Sequence, residues 1–164
     1  MGSISGITMK IILKQACEGD CPAILRIQHK SFAHLLEKYR DYDTNPGAES
    51  LEKILGRFIQ PFTTYYFILL EGAVIGMLRV CDFQDRCRLS PICILPEYWG
   101  RGYAQQAMRE MENLYPDAKI WELETIAQEE KLCHLYEKMG YLPTGKQKRL
   151  KDGMDIIFYE KKRL

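Results

Sequence analysis

No stretch of this chain approaches the ~20 consecutive apolar residues that a membrane-spanning helix needs. Charge of one sign is missing too. Lys and Arg number 23 and Asp and Glu 22, a net charge of +1, so there is no general electrostatic pull toward nucleic acid or a membrane surface. Histidine is scarce, with only His29, His34 and His134. The six cysteines contain no Cys-x-x-Cys pair, and no cysteine–histidine spacing completes a zinc pattern. Cys17, Cys21 and His29 come nearest to a metal corner and fall short of one. No metal is therefore expected, and the cysteines read as free thiols packed as small hydrophobes in a reducing, cytoplasmic setting. Internal repeats, low-complexity tracts and linkers are absent as well. Residues 1–8 lack the apolar core of a signal peptide and read as a leader or disordered stretch, with Met9 a possible natural start. The remaining 9–164 suit one domain with a full core.

What the chain does have is a steady alternation of β-formers and helical stripes. A strand is expected over 9–15. A helix follows from about 21 to 38, with Asp20 as N-cap and Pro22 in its first turn. A charged, aromatic segment from Lys38 to Gly47 breaks that pattern. Leu51, Ile54, Leu55, Phe58 and Ile59 then fall on one face of a second helix, which Pro61 stops. Two strands, 64–70 and 74–81, flank the two-residue turn Glu71-Gly72. Residues 86–95 form a fourth strand. Pro91 within it cannot donate to a ladder, so the strand should be bulged or only partly paired there. A helix over 104–114, a strand over 119–126 and a helix over 129–139 closed by Gly140 come next. A final hairpin turns at Lys151-Asp152-Gly153.

The segment Leu95–Ala104 links the fourth strand to the third helix. Gly100 and Gly102 flank Arg101, so the backbone can bend sharply with no Cβ in the way. The N–H groups of such a corner, backed by a helix N-terminus and a full positive charge, form an anion site suited to a pyrophosphate.

Here the sequence resembles the GCN5-related N-acetyltransferases (GNAT), whose signature Gln/Arg-x-x-Gly-x-Gly/Ala lies after a strand and at the head of a helix. The counterpart is Trp99-Gly100-Arg101-Gly102-Tyr103-Ala104, with Trp99 standing where Gln or Arg is usual. A second segment, Leu135-Tyr136-Glu137-Lys138-Met139-Gly140-Tyr141, is similar to the family's Leu-Tyr-x-Lys-x-Gly-Phe. The Asn usual seven residues before that Tyr is Glu129 here. The order of elements agrees from about Lys10 to Lys161.

The resemblance implies an α/β (α+β) fold with a mixed, mostly antiparallel sheet, splayed between strands 4 and 5 and flanked by about four helices. It implies acetyl-CoA as co-substrate. Its pyrophosphate would lie on Trp99, Gly100, Arg101, Gly102, Tyr103 and Ala104, and its pantetheine would pair with the backbone of Ile92, Cys93 and Ile94. The activity implied is direct acetyl transfer to a primary amine on a small molecule or a peptide N-terminus. The partners are then acetyl-CoA and an amine, with the protein a monomer or homodimer and with no membrane or nucleic-acid partner expected.

Such a reaction needs an acid for the departing thiolate and a base for the ammonium. Tyr136 is the candidate acid, a phenol with a pKa near ~10. It also shares a helical stripe with Leu132, Leu135 and Met139 and could simply be packing. Glu124 is the candidate base, because its offset from Tyr136 looks like that of the base in ribosomal-protein alanine acetyltransferases. Alternation places Glu122 and Glu124 on one side of the fifth strand, so a solvated glutamate is the competing reading. Ser90 could position a water. Cys93 has no neighbouring histidine to activate it, which argues against an acyl-enzyme route.

The acceptor would meet the segment around Tyr39, Arg40, Asp41, Tyr42 and Asp43, whose acids and phenols suit a cationic amine and equally suit an exposed loop. The basic residues Lys146, Lys148, Arg149, Lys151 and Lys161-Lys162-Arg163 read as solvated hairpin faces or, less readily, as contacts to a nucleic acid or an acidic partner. Rival functions are a non-catalytic acyl-CoA sensor and a toxin acetylating aminoacyl-tRNA. A dinucleotide-binding protein fits less well, since the glycine turn comes too late in the chain.

Overall fold

Strand-forming runs and amphipathic stripes alternate along the chain, and the computed structural model, which describes residues 10–163, pairs the runs into one sheet. The leader expected over 1–8, and Met9, lie outside the described residues. The strands are β1 (Ile11–Gln15), β2 (Thr63–Leu70), β3 (Ala73–Asp82), β4 (Arg86–Ile94), β5 (Ile120–Ile126), β6 (Leu142–Lys151) and β7 (Met154–Lys162). The helices are α1 (Cys21–Tyr39), α2 (Leu51–Phe58), α3 (Tyr103–Leu114) and α4 (Glu130–Lys138). The sheet order is β1-β2-β3-β4-β5-β7-β6. Every neighbouring pair is antiparallel except β4–β5, which is parallel because α3 carries the chain across between them. Among the described residues no helix is long and apolar enough to cross a membrane.

Alternation along each strand gives the sheet two buried faces. On one, Ile24 and Ile27 of α1 and Ile54 of α2 pack on Tyr65, Phe67, Met77 and Cys93. On the other, Met108 and Met111 of α3 and Tyr136 of α4 pack on Ile68, Leu78, Trp121 and Leu123. Burying side chains of this size stabilises the fold by roughly 1.5–3 kcal/mol each.

The helix ends follow from local chemistry. Ser50 caps α2 by accepting the Lys53 N–H at 3.2 Å. After α4 the Tyr141 N–H reaches back to the Tyr136 carbonyl at 3.0 Å, with Gly140 left-handed, a Schellman closure. Asp20 departs from expectation. It occupies the N-cap position of α1, yet its carboxylate accepts the Cys17 N–H at 2.8 Å. A 3₁₀ turn over Glu18–Asp20 already puts its backbone in the helical region, which aims the side chain backward.

Pro91 does break β4 as expected. Leu78 pairs with Ile92 and Val80 with Leu89, so Arg79 alone faces Ser90 and Pro91, a bulge. The β4–β5 pairing covers only Arg86–Arg88 against Ile120–Glu122. Beyond it the two strands diverge, leaving residues 89–94 and 123–126 without partners across the gap.

Candidate active site

The opening between β4 and β5 begins beside the bulge. Arg79 donates from Nε to the Ser90 carbonyl at 2.6 Å and so holds the extra residue in place. Past it, Ile92 is half-buried, and Cys93 and Ile94 are buried. Gly76 on β3 makes this stretch of β4 possible, since a Cβ there would sit 2.2 Å from the Cys93 carbonyl oxygen.

Beyond the end of β4 the chain bends through the expected corner. Gly100 and Gly102 both adopt left-handed φ, +76° and +78°, a region that costs other residues roughly 1–2 kcal/mol. A Cβ built on either glycine meets nothing within 4 Å, so the corner is not filled by protein. Among the described residues no internal hydrogen bond takes the N–H groups of Gly100, Arg101, Gly102, Tyr103 or Ala104. Five consecutive donors therefore remain free at the positive end of α3. The Arg101 side chain is exposed and makes no ion pair among the described residues. Tyr103 is buried and Ala104 half-buried, so these two offer the site their backbone rather than their side chains.

Trp99 has a role that its departure from the family pattern did not suggest. Its indole N–H donates to the Ile94 carbonyl at 2.6 Å. Its ring meets His34 edge-on at 4.7 Å. It thus braces the corner against the end of β4 and against α1.

Tyr136 lies in the core as its stripe predicts, 7% exposed, between the rings of Tyr141 and Tyr159. Its hydroxyl makes no hydrogen bond among the described residues. Burial, aided by the nearby Cys133 and Cys93 thiols, raises its pKa well above the ordinary phenol value. Burial likewise pushes the Cys93 thiol up to about 12. A thiol so held is almost entirely protonated at neutral pH and is a poor nucleophile.

Glu124 points away from Leu123 and Tyr136 to the α1/α2 face, where it is ion-paired with Arg88. Both line a cavity of about 470 Å³ beneath the segment joining α1 to α2. That segment contributes Asp43 and Thr44, while Tyr42 is exposed and Asp41 turns inward to bond the Thr44 N–H at 3.1 Å. Ser90 lies on the cavity wall.

Several polar residues around this cavity carry no local signal in the sequence. Glu49 is 6% exposed and is held by Arg57 and, at 2.8 Å, by the Gln28 amide. Arg79 is 9% exposed and has no carboxylate partner among the described residues. Apart from Cys81, two residues from Arg79, their partners lie 8 to 21 residues away in sequence.

Glu129, where the family has Asn, clamps the start of α4 to the end of α1 through Lys38 at 2.7 Å and Tyr39 at 2.5 Å. Burial works to raise its pKa, but the hydrogen bonds from Lys38 and Tyr39 prevail and hold the carboxyl below its ordinary value. The basic tail is partly internal. Lys161 pairs with the buried Glu112 at 2.9 Å, and Arg163 bonds the Glu112 and Tyr115 carbonyls at the end of α3. His29 bonds the Glu49 carbonyl at 2.8 Å.

The family model described as the acetyltransferase (GNAT) family matches residues 23–141. The chain is 28% identical over 136 residues to the uncharacterized protein YrkN of Bacillus subtilis (strain 168), covering 80% of this chain and 73% of YrkN. Solved structures agree in fold at lower identity. The ribosomal-protein-S18-alanine N-acetyltransferase of Escherichia coli superposes with a TM-score of 0.74 at 15% identity, over 93% of each chain. The spermidine N-acetyltransferase of Vibrio cholerae, solved with CoA and spermine, gives 0.71 at 17% identity, over 92% of this chain and 94% of the other. With the splayed sheet, the open glycine corner and a family match spanning most of its length, this chain belongs to the acetyltransferase (GNAT) family.

Proposed function

We propose that the protein moves an acetyl group from acetyl-CoA to a primary amine, directly and within a ternary complex. The observation that carries this reading is the parting of β4 from β5 after Arg88 and Glu122, with an open corner of free amides at the end of β4. The amides of Gly100–Ala104, with Arg101, hold the diphosphate. The β4 edge at Ile92, Cys93 and Ile94, unpaired on the β5 side, takes the pantetheine arm as an added strand would be taken, and brings the thioester toward Tyr136.

The amine nitrogen attacks the thioester carbon, forming the C–N bond as the C–S bond breaks. The ammonium proton leaves to Glu124, directly or through a water on the cavity side. The proton that the departing thiolate needs comes from the Tyr136 hydroxyl, which then recovers one from solvent. Burial raises the Tyr136 pKa, which by itself would make the phenol a weaker acid. Burial also raises the Cys93 thiol, up to about 12. The high value for Cys93 also argues against an acetyl-cysteine intermediate.

The test is release of CoA thiol from acetyl-CoA against a panel of amines, amino acids, peptides and polyamines. Turnover with at least one amine is expected. Tight acetyl-CoA binding without thiol release from any amine would instead favour a sensor.

A further inference from the structure

The cavity of about 470 Å³ on the α1/α2 face is of a size that suits a small molecule. Its charges can be paired off one by one. Glu49 is satisfied by Arg57 and Gln28. Glu124 is satisfied by Arg88. Asp43 and Lys53 are exposed and stand at the rim. What remains is Arg79, 9% exposed, facing the cavity from β3. Its Nε is committed to the Ser90 carbonyl, and one terminal nitrogen lies 3.2 Å from the Cys81 sulfur, a weak acceptor. Its other terminal nitrogen has no hydrogen-bond partner among the described residues.

A buried guanidinium without a counter-charge is costly, and burial pulls its pKa down from the ordinary value. A guanidinium nitrogen left unspent at the cavity wall marks a place where an acceptor group belongs. We infer that the acceptor amine is a small molecule that also carries a carboxylate, and that Arg79 binds that carboxylate while the amine lies at Glu124. β3 and β5 flank β4, so the two groups stand on opposite sides of the bulged strand and fix both ends of one ligand. A polyamine would set further positive charge against a floor whose uncompensated charge is already positive. This inference rests on the transferase reading, and it names the acceptor class for that same site.

The experiment uses the full chain loaded with CoA and titrated calorimetrically. The ligands are L-glutamate, L-methionine and 4-aminobutyrate, each against its uncharged carboxamide analogue, with spermidine as the polycationic contrast. At least one carboxylate should bind, and bind about tenfold or more tightly than its carboxamide. Arg79→Met should erase that difference and Arg79→Lys should retain it. If Arg79→Met does not fold, because Arg79 also holds the Ser90 bulge, the wild-type pairs decide alone. Equal affinity within every pair, preference for spermidine, or no carboxylate binding at about 10 mM overturns the inference. Thiol release from acetyl-CoA, followed in parallel, separates the two claims. Equal turnover of carboxylates and carboxamides keeps the transferase and sinks the carboxylate site. Preferential carboxylate binding without thiol release does the reverse.

Discussion

At the head of α3 the protein offers a ligand the amides of five consecutive residues, Gly100 to Ala104, and one exposed arginine. Across the sheet, the cavity under the α1–α2 segment is walled by charged side chains from that segment and from α2, β3, β4 and β5. The first is built from main chain and the second from side chains. Main-chain donors recognise what every acyl-CoA shares, and they tolerate wide change in sequence provided the corner can bend. Side-chain walls discriminate, and each replacement alters what fits. A constant donor and a variable acceptor would then divide between the two regions, with the β4–β5 opening as their meeting place.

The strongest way to break this contrast is to spoil the main-chain side with one residue. Gly102→Glu places a side chain at φ +78° and a carboxylate where a diphosphate would lie. Acetyl-CoA affinity should fall by about 100-fold or more, measured by calorimetry, while thermal melting still shows a cooperative fold. Retained affinity would remove the corner from the account.

The next variant acts between the two regions. Tyr136→Phe should lower kcat by about 100-fold and leave acetyl-CoA affinity nearly unchanged. The tyrosine is spectator packing if turnover holds steady.

On the side-chain wall, Glu124→Gln should lower kcat by about tenfold near neutral pH. Part of the loss should be regained as pH rises, since the free amine then arrives already deprotonated. A uniform loss at every pH would mean that Glu124 only positions Arg88.

The legibility of the two regions in the sequence follows the same division. The corner is contiguous, so Leu95–Ala104 could be read as strand, glycine bend and helix. Pro91 announced the bulge because a proline cannot donate to a ladder. The order of strands and helices was legible from periodicity, and so was the left-handed close of α4 at Gly140. The cavity was not. Arg79 sits in an apolar strand, and its meaning depends on which carboxylates fail to reach it. Glu49 and Gln28 come together across 21 residues. The basic tail was misleading for the same reason. Lys161 and Arg163 serve α3 from across 49 and 51 residues. Trp99 looked like a lost side chain in the family signature and turned out to brace the corner through the Ile94 carbonyl.

Two smaller effects sharpen the picture. Cys93→Ala should keep turnover within about threefold, because a thiol with a pKa near 12 supplies almost no thiolate at neutral pH. A collapse of kcat without loss of acetyl-CoA binding would reopen the acyl-enzyme route.

Glu129 should show in stability rather than in chemistry. Its folded pKa lies below the ordinary carboxylate value, so its stabilising effect is present above an unfolded pKa of about 4.3 and is lost as pH falls through the folded value. Glu129→Gln should lower Tm by about 2 °C or less at pH 7, with the difference gone near pH 3. An equal difference at both pH values would assign the effect to packing.

The most direct measurement is an amide NMR titration of the full chain with acetyl-CoA. The account predicts that the largest shifts fall on the N–H groups of Gly100–Ala104, followed by those of Ile92–Ile94 and of residues 123–126. Saturable binding that leaves the Gly100–Ala104 amides unmoved would contradict it.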